Sequence, residues 1–356
     1  MRLGGWVVLL AVASVRAQGP EPPPREPAWW EPRTELRLRL DRITEADQGG
    51  VERVSSQLRV RWEGQGAGGW EPFTYAGGFR SALGSDGNRL NLRRWDQQPS
   101  NGTQLDVARI GIAGRSERTF GEAHLGFQEN RLIAPEALWD RDLRFLGLGL
   151  RAGLRDREGW IPELGLRVAA GRVRTLQGGN LDLAAGQIVL KLETGPVSWT
   201  AHGGCWEITW DRGFARTRPV PGHAAEPRQR LQLDAYGASA TWNAGLPVEV
   251  RAFGQRNRET GEPGAETQFL VGSLERPFWP RLSVTWQRLS RTGTLYPVNG
   301  DQWWFYWNAR GPRYEVALPL RDRWFVALVF LRHQDYGEPY SAERRMVTVT
   351  KRFPMD

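Results

Sequence analysis

The chain has 356 residues, of which 48 are basic and 40 are acidic, so its formal net charge is +8. The single cysteine, Cys205, excludes an intramolecular disulfide framework and a cysteine metal site. The four histidines lie far apart without HExxH-type spacing, so we expect neither a metal site nor a cofactor.

The first residues have the pattern of a secretory signal peptide. Arg2 precedes an apolar run from Trp6 to Ala13, which is too short to cross a membrane as a helix. No later stretch reaches about 18 uninterrupted apolar residues. We therefore predict a signal peptide over residues 1–17, a Pro-rich periplasmic leader over 18–33, and one domain over 34–356.

From residue 34 onward, apolar and polar residues alternate in short segments. Leu36, Leu38 and Leu40, for example, are separated by charged residues. Successive side chains of a strand point to opposite faces, so each segment predicts a strand with one apolar and one polar face. We predict sixteen strands, over residues 35–43, 52–63, 71–80, 104–113, 118–128, 143–154, 160–173, 182–193, 196–209, 229–242, 246–257, 267–276, 281–290, 302–317, 323–333 and 343–353.

The connections between these strands alternate between short and long. Residues 194–195 and 243–245 form short ones, whereas 81–103, 128–142 and 211–228 are long. Short periplasmic turns and long external loops are typical of outer-membrane barrels, and a soluble sandwich has no reason to alternate in this way. The predicted fold class is all-β, a single transmembrane antiparallel β-barrel of about 16 strands. A barrel of fourteen or eighteen strands is the alternative, because residues 64–69 and 308–313 fit either a strand or a turn.

The tryptophans favour the same architecture, because indole rings prefer the headgroup level of a membrane. Several aromatic residues fall at the short-turn ends of the predicted strands: Trp62, Trp70, Trp160, Trp199, Trp242, Trp279, Trp324, Phe278 and Phe353. Others fall toward the opposite ends: Trp95, Trp139, Trp206, Trp210, Trp303 and Trp304. We predict two aromatic girdles.

The last strand is similar to the closing strand of Gram-negative outer-membrane barrels, since alternating apolar residues from Met346 end in the aromatic Phe353. Residues 35–353 as a whole resemble a sixteen-stranded outer-membrane porin. That resemblance implies the cell outer membrane as location and no enzymatic activity. The implied partners are outer-membrane lipid and lipopolysaccharide, small anionic solutes, the barrel-assembly machinery and, as such porins are commonly trimers, two further copies of the chain. No nucleic-acid partner is expected.

The resemblance also assigns a role to the third long connection, residues 128–142. In such porins this loop folds into the lumen and presents carboxylates to arginines on the opposite wall. The acidic residues that would do so here are Glu129, Glu136, Asp140 and Asp142, and Leu132, Ile133 and Leu138 would anchor the loop. An ordinary surface loop with solvated charges is the alternative.

Arginines fall on the polar faces of several predicted strands: Arg37, Arg39, Arg59, Arg61, Arg151, Arg167 and Arg251. An arginine that faces lipid at the midplane costs about 2–4 kcal/mol, so we expect these side chains to point inward. A lumen with guanidinium groups attracts anions. Alternatively, Glu63, Glu163, Asp234 and Glu249 pair with the arginines across strands and leave a stiffened wall.

The sequence thus predicts a porin for passive diffusion of small hydrophilic, anionic solutes. The alternative is a substrate-specific channel that exports an acidic polysaccharide, like alginate-export barrels, because its arginine-rich lumen would give a similar sequence. An enzyme is not expected, because no serine signature lies near His124 or His202.

Overall fold

The computed structural model describes sixteen β-strands and the connections between many of them. The described residues are 30–45, 49–65, 73–84, 102–115, 118–135, 138–139, 144–156, 161–174, 180–210, 230–274, 277–290, 292–293, 309–335 and 341–353. The strands are β1 (Trp30–Glu45), β2 (Gly49–Gln65), β3 (Phe73–Gly84), β4 (Gly102–Arg115), β5 (Thr119–Glu129), β6 (Arg144–Leu154), β7 (Glu163–Arg174), β8 (Asn180–Thr194), β9 (Val197–Trp210), β10 (Arg230–Trp242), β11 (Val248–Asn257), β12 (Pro263–Val271), β13 (Arg281–Leu289), β14 (Ala309–Pro319), β15 (Trp324–Asp335) and β16 (Ser341–Phe353).

Every strand pairs antiparallel with the next strand in the chain. The last strand, β16, also pairs with β1, from Thr34 opposite Phe353 to Glu45 opposite Ala342, so the strand order closes on itself. The prediction of an all-β, antiparallel fold is confirmed. Among the described residues, no helix has the length and apolar character needed to cross a membrane.

Three strands differ most from their predicted boundaries. Strand β1 begins at Trp30, within the predicted leader, because its backbone continues to pair with β2 beyond the apolar alternation. Strand β12 spans Pro263–Val271 rather than 267–276, because Gly272 has a φ of +99° and ends the extended backbone. Strand β14 begins at Ala309 rather than at 302, and residues 302–308 lie outside the described part of the chain.

Side chains on the two faces of the wall have different environments. In β13, Ser283, Thr285 and Gln287 are buried toward the interior, whereas Val284 and Trp286 between them are exposed on the outer face. The same alternation places large apolar side chains on the outer face of many other strands, among them Ile110, Ile112, Leu125, Leu146, Leu148, Leu164, Leu166, Ile188, Val250, Phe269, Tyr314, Val316 and Leu328. The outer face of these strands therefore carries a band of exposed apolar side chains.

Of the aromatic residues predicted at the short-turn ends, the five that the structure describes are exposed, whereas the prediction for the opposite ends is corrected. Trp199, Trp242, Trp279, Trp324 and Phe278 are exposed at the short-turn end. The side chains of Trp62, Trp70, Trp95, Trp160, Trp303, Trp304 and Phe353 lie outside the described residues. Trp139, Trp206 and Trp210 do not form an outer girdle, because they are buried in one apolar cluster on the inner face of the wall.

Glycine pairs bring β6 and β7 close together. Gly147 lies opposite Gly171, and Gly153 lies opposite Gly165. A β-carbon at Gly147 would overlap the carbonyl oxygen of Ala170. Larger side chains at these positions would therefore push the two backbones apart.

The first prediction concerns this close approach. We expect Gly147→Ala to lower the free energy of unfolding by about 1–3 kcal/mol, the usual cost of overpacking. Gly186→Ala is the control, because a β-carbon there has no neighbour within 4 Å. The measurement is the urea midpoint of the refolded variants, and equal midpoints for the two variants would contradict the argument.

Candidate functional site

The described part of the third long connection, residues 130–135 and 138–139, folds back onto the inner wall. Leu132, Leu138 and Trp139 are buried, and Trp139 lies 6.0 Å from Trp206 between ring centroids. The apolar cluster that covers them is formed by inward residues of β6–β10: Phe145, Ala169, Val173, Leu181, Leu183, Ala185, Trp206, Ile208, Trp210, Leu231, Leu233 and Ala235. Since about 25 cal/mol is gained per Å² of apolar surface removed from water, this contact fixes the loop against the inner wall.

Polar contacts fix the position of the loop more exactly. The side chain of Gln187, on the inner face of β8, accepts a hydrogen bond from the Ile133 N–H and donates one to the Ile133 carbonyl, each 2.9 Å long. Arg167, opposite Gln187 in the register, donates to the Arg131 carbonyl at 3.2 Å. The Arg131 side chain in turn donates to Glu122 of β5 at 2.7 Å. Strands β5, β7 and β8 thus hold residues 131–133.

At the loop and below it, toward the short-turn end, the loop residue Arg131 and charged side chains of β5–β8 form what we term the first charge cluster. Its members are Glu122, Arg131, Arg151, Glu163, Arg167 and Lys191. Glu163 contacts three cations, at 2.8 Å from Arg151, 3.2 Å from Arg167 and 2.6 Å from Lys191. The cluster therefore has four cationic groups and two carboxylates.

Exposure differs sharply within the first charge cluster. The carboxylates are covered, with Glu163 at 7% and Glu122 at 15% exposure, whereas Arg131 and Lys191 are each 38% exposed. The Arg151 guanidinium lies over the Phe120 ring, 4.8 Å from its centroid, and keeps 32% exposure. The exposed surface of the first charge cluster is therefore predominantly cationic.

A second charge cluster lies on the inner faces of β11–β14 and contains Glu249, Arg251, Arg281, Arg313 and Glu315. Arg251 donates two hydrogen bonds to Glu249, of 2.6 and 2.8 Å. The Glu315 carboxylate forms ion pairs with Arg281 at 3.2 Å and with Arg313 at 2.8 Å. Again the cations outnumber the carboxylates, here by three to two.

Another connection also contacts the inner wall. Gln255 donates a 2.6 Å hydrogen bond to the Gly293 carbonyl, and Asn257 donates one of 2.8 Å to the Thr292 carbonyl. Both side chains are buried. Residues 292–293, which follow β13, are thus held at the end of β11.

The structure places the predicted site residues as follows. Arg151, Arg167 and Arg251 belong to the two charge clusters, and each has a carboxylate partner. The predicted partner Asp234 lies on the outer face instead, 2.5 Å from Arg258, because inward positions of β10 are odd-numbered. Glu129 lies at the end of β5, 3.8 Å from Arg144. The side chains of Arg37, Arg39, Arg59, Arg61 and Glu63, and all of Glu136, Asp140 and Asp142, lie outside the described residues.

Several members of the clusters were not predicted. Arg281 and Arg313 lie next to outward-facing apolar residues, so strand periodicity alone could have placed them on the inner face. Lys191 could have been found in the same way. Arg131 could not, because its contact with Glu122 depends on how the loop folds back.

No protein-family model and no curated protein matches the chain. Among solved structures it is similar to OprB of Pseudomonas putida, with a TM-score of 0.61 and 9% identity over 91% of this chain and 94% of that one. It is also similar to OmpF of Salmonella typhi in complex with daunomycin, with a TM-score of 0.55 and 11% identity over 90% of this chain and 97% of that one. A BenF-like porin from Pseudomonas fluorescens has a TM-score of 0.54 and 11% identity, over 92% of this chain and 99% of that one.

These similarities concern the fold, since the identities are low. The predicted architectural resemblance to Gram-negative outer-membrane porins is confirmed.

The second prediction tests how the loop is held. We expect Gln187→Ala to destabilise the protein by about 1–3 kcal/mol, because the Ile133 N–H and carbonyl lose their partners in a partly buried site. The Ile133 amide should also exchange its hydrogen faster, as measured by hydrogen–deuterium exchange. Gln232→Ala is the control, because Gln232 contacts Glu207 on the outer face. Unchanged exchange at Ile133 would show that the apolar contacts alone fix the loop.

Proposed function

We propose that the protein is an outer-membrane porin through which small hydrophilic anions diffuse passively. The observation that carries this proposal is the first charge cluster, in which Arg131, Lys191 and Arg151 are more exposed than the carboxylates that they contact. The second charge cluster adds a further excess of cations, three against two carboxylates. Such a surface raises the local concentration of anions and offers them charge-assisted hydrogen bonds. Passive diffusion requires neither a catalytic group nor a cofactor.

The proposed arrangement in the membrane follows from the two faces of the wall. Sixteen strands would form a closed barrel with its apolar outer face in lipid and its polar face around the lumen. The short turns would lie in the periplasm and the long connections outside the cell. We include Arg37, Arg39, Arg59 and Arg61 in the lining, since the register sets Arg37 opposite Thr350 and Arg39 opposite Thr348.

The inserted loop supports a narrowed channel rather than an open one. Residues 131–133 lie against Arg167 and Gln187, and Arg131 and Arg167 are themselves part of the first charge cluster. A solute that passes the loop therefore meets Arg131, Arg151 and Lys191. We propose that this passage, rather than the outer mouth, decides which ions pass.

The third prediction tests selectivity with a planar bilayer under a salt gradient. The wild-type reversal potential should indicate anion preference. The triple variant Arg131→Gln, Lys191→Gln and Arg251→Gln should lower the anion-to-cation permeability ratio by about twofold or more, because a unit charge near an ion contributes on the order of 1 kcal/mol even in water. The matched control is Arg172→Gln, Arg230→Gln and Arg258→Gln, which removes three ion-paired arginines from the outer face.

The outcomes separate the proposals. An unchanged anion-to-cation permeability ratio in the triple variant, or an equal change in the control, would show that the charge clusters do not determine ion selectivity. Absence of conductance in the wild type would overturn the porin proposal. Saturable current block by uronate oligomers would favour the polysaccharide-export channel instead.

The fourth prediction tests whether the outer face meets lipid. Ile188 is 61% exposed in the middle of β8, so Ile188→Arg should destabilise the refolded protein in vesicles by about 2–4 kcal/mol. Ile188→Leu is the control, because it keeps an apolar side chain. The measurement is the free energy of unfolding by urea in lipid vesicles. Equal stabilities for the two variants would contradict a lipid-facing position.

A further inference from the structure

A buried histidine, His202 of β9, lies behind the contact that holds the loop. It is 8% exposed and faces the interior. Its Nδ1 atom is 2.8 Å from Nε2 of Gln187, whose amide also forms two hydrogen bonds with the Ile133 backbone. We call these two bonds to Ile133 the amide clamp. His202 is therefore connected to the loop through Gln187.

Three strands hold the His202 ring in place. Gln187 contacts it from β8, and the Phe253 ring of β11 packs against it with 5.4 Å between ring centroids. Gly237 of β10, directly opposite His202, leaves space for this packing, because a β-carbon there would lie 2.6 Å from both His202 Nε2 and Phe253 Cδ1. The ring therefore has little room to turn.

The Ile133 backbone fixes the orientation of the Gln187 amide. A backbone N–H only donates and a carbonyl only accepts, so Oε1 lies at the Ile133 N–H and Nε2 at the Ile133 carbonyl. The amide nitrogen has two hydrogens, one for the Ile133 carbonyl and one for His202 Nδ1. Because Nδ1 accepts this hydrogen bond, the ring is neutral and its proton is on Nε2.

A doubly protonated His202 ring does not fit the amide clamp. Its Nδ1–H would face the Gln187 NH₂ group, and two donors do not bind each other. Turning the amide over would bring its oxygen to Nδ1, but would also set its NH₂ group against the Ile133 N–H. The other ring nitrogen, Nε2, is buried without a hydrogen-bond partner, so its N–H has no acceptor either. The amide clamp and the charged ring therefore exclude each other.

Charged groups on the neighbouring elements occupy the inner face around His202. They are Glu163 and Arg167 on β7, Lys191 and Glu193 on β8, Glu249 and Arg251 on β11, and Arg131 on the loop. The inward positions of β9 and β10 hold no charged side chain besides His202 itself. Arg167 lies beside the amide clamp, opposite Gln187 and bonded to the Arg131 carbonyl. A second proton on His202 would thus add a positive charge near an existing one.

We propose that His202 is a positioning residue for the loop: its neutral ring orients the Gln187 amide, and the amide then fixes residues 131–133 against the wall. Protonation of the ring breaks the amide clamp and releases this segment. The inference is drawn from the contacts of the loop and does not depend on anion selectivity. It rests on the proposed function only for the effect on current, because residues 131–133 narrow the channel in that proposal.

The test uses the refolded full chain and the hydrogen-exchange protection factor of the Ile133 amide, which corrects for the intrinsic pH dependence of exchange. The wild type is measured from about pH 7.5 to about pH 3.5, a range in which histidines become protonated. We expect the protection factor to fall by about tenfold or more across this range, because the Ile133 N–H loses its acceptor.

Two variants of His202 separate positioning from packing. His202→Asn keeps an acceptor, Oδ1, near the place of Nδ1 but takes up no proton, so Ile133 should stay protected at every pH. His202→Phe keeps a ring against Phe253 but has no acceptor. It should lower the protection factor by about threefold or more at every pH and abolish its pH dependence, because the amide loses one partner.

The matched control is His124→Asn. His124 is the other histidine near the loop, with its Nε2 atom 3.1 Å from Nη1 of Arg131. This variant should keep the pH dependence of the wild type, because His124 does not contact the amide clamp. A β-sheet circular dichroism spectrum at each pH verifies that every protein stays folded.

The outcomes are distinct. An unchanged protection factor in the wild type across the pH range would overturn the proposal. It would also be overturned by a fall in His202→Asn as large as in the wild type, since another group would then be responsible. Loss of the pH dependence in His124→Asn would have the same consequence.

Single-channel current in a planar bilayer separates this inference from the porin proposal. The released segment should increase the open-channel noise of the wild type at the acidic end of the range, but not that of His202→Asn. A protein that conducts without a pH-dependent fall in Ile133 protection would fail this inference alone. A protein in which His202→Asn abolishes that fall, but which does not conduct, would fail the porin proposal alone.

Discussion

Each strand depends on its two neighbours for its main-chain hydrogen bonds, and the other features of the protein follow from this pairing. Because β16 pairs with β1, the sheet has no unpaired edge in the order of its strands. Pairing also fixes the register, and the register fixes which side chains face the interior. A shift of one residue in β6 would move Arg151 to the apolar outer face and turn its neighbours Leu150 and Ala152 inward. The alternation and the pairing must therefore agree.

The apolar patch on the inner wall explains why the third long connection lies inside. Leu181, Leu183 and Ile208 face the interior, where water would otherwise cover them. Leu138 and Trp139 remove that surface from water, and the hydrogen bonds of Gln187 then set the position of the chain. The apolar contact supplies the attraction and the polar contact supplies the precision, because hydrogen bonds are directional and the hydrophobic effect is not.

Strand periodicity was enough to predict the all-β class, the apolar exterior and the inward position of Arg151, Arg167 and Arg251. The prediction of an outer girdle was wrong for Trp206 and Trp210, because it used their level in the strand and ignored this periodicity. Their level in the strand favoured a girdle, but their parity places them on the inner face of β9. The contact between Arg131 and Glu122 could not be predicted for a different reason. It joins a loop to a strand, so no periodic pattern in the sequence indicates it.

Ion pairing in the lumen does not cancel its charge. Glu163 is almost covered by the three cations that surround it, so its negative charge acts mainly on them. Arg131 and Lys191 keep more than a third of their side-chain surface exposed. The carboxylates thus hold the cationic groups in fixed positions, while parts of those groups stay exposed on the inner side of the wall. Cross-strand pairing and anion attraction, which the sequence presents as alternatives, are compatible because they use different sides of the same guanidinium and ammonium groups.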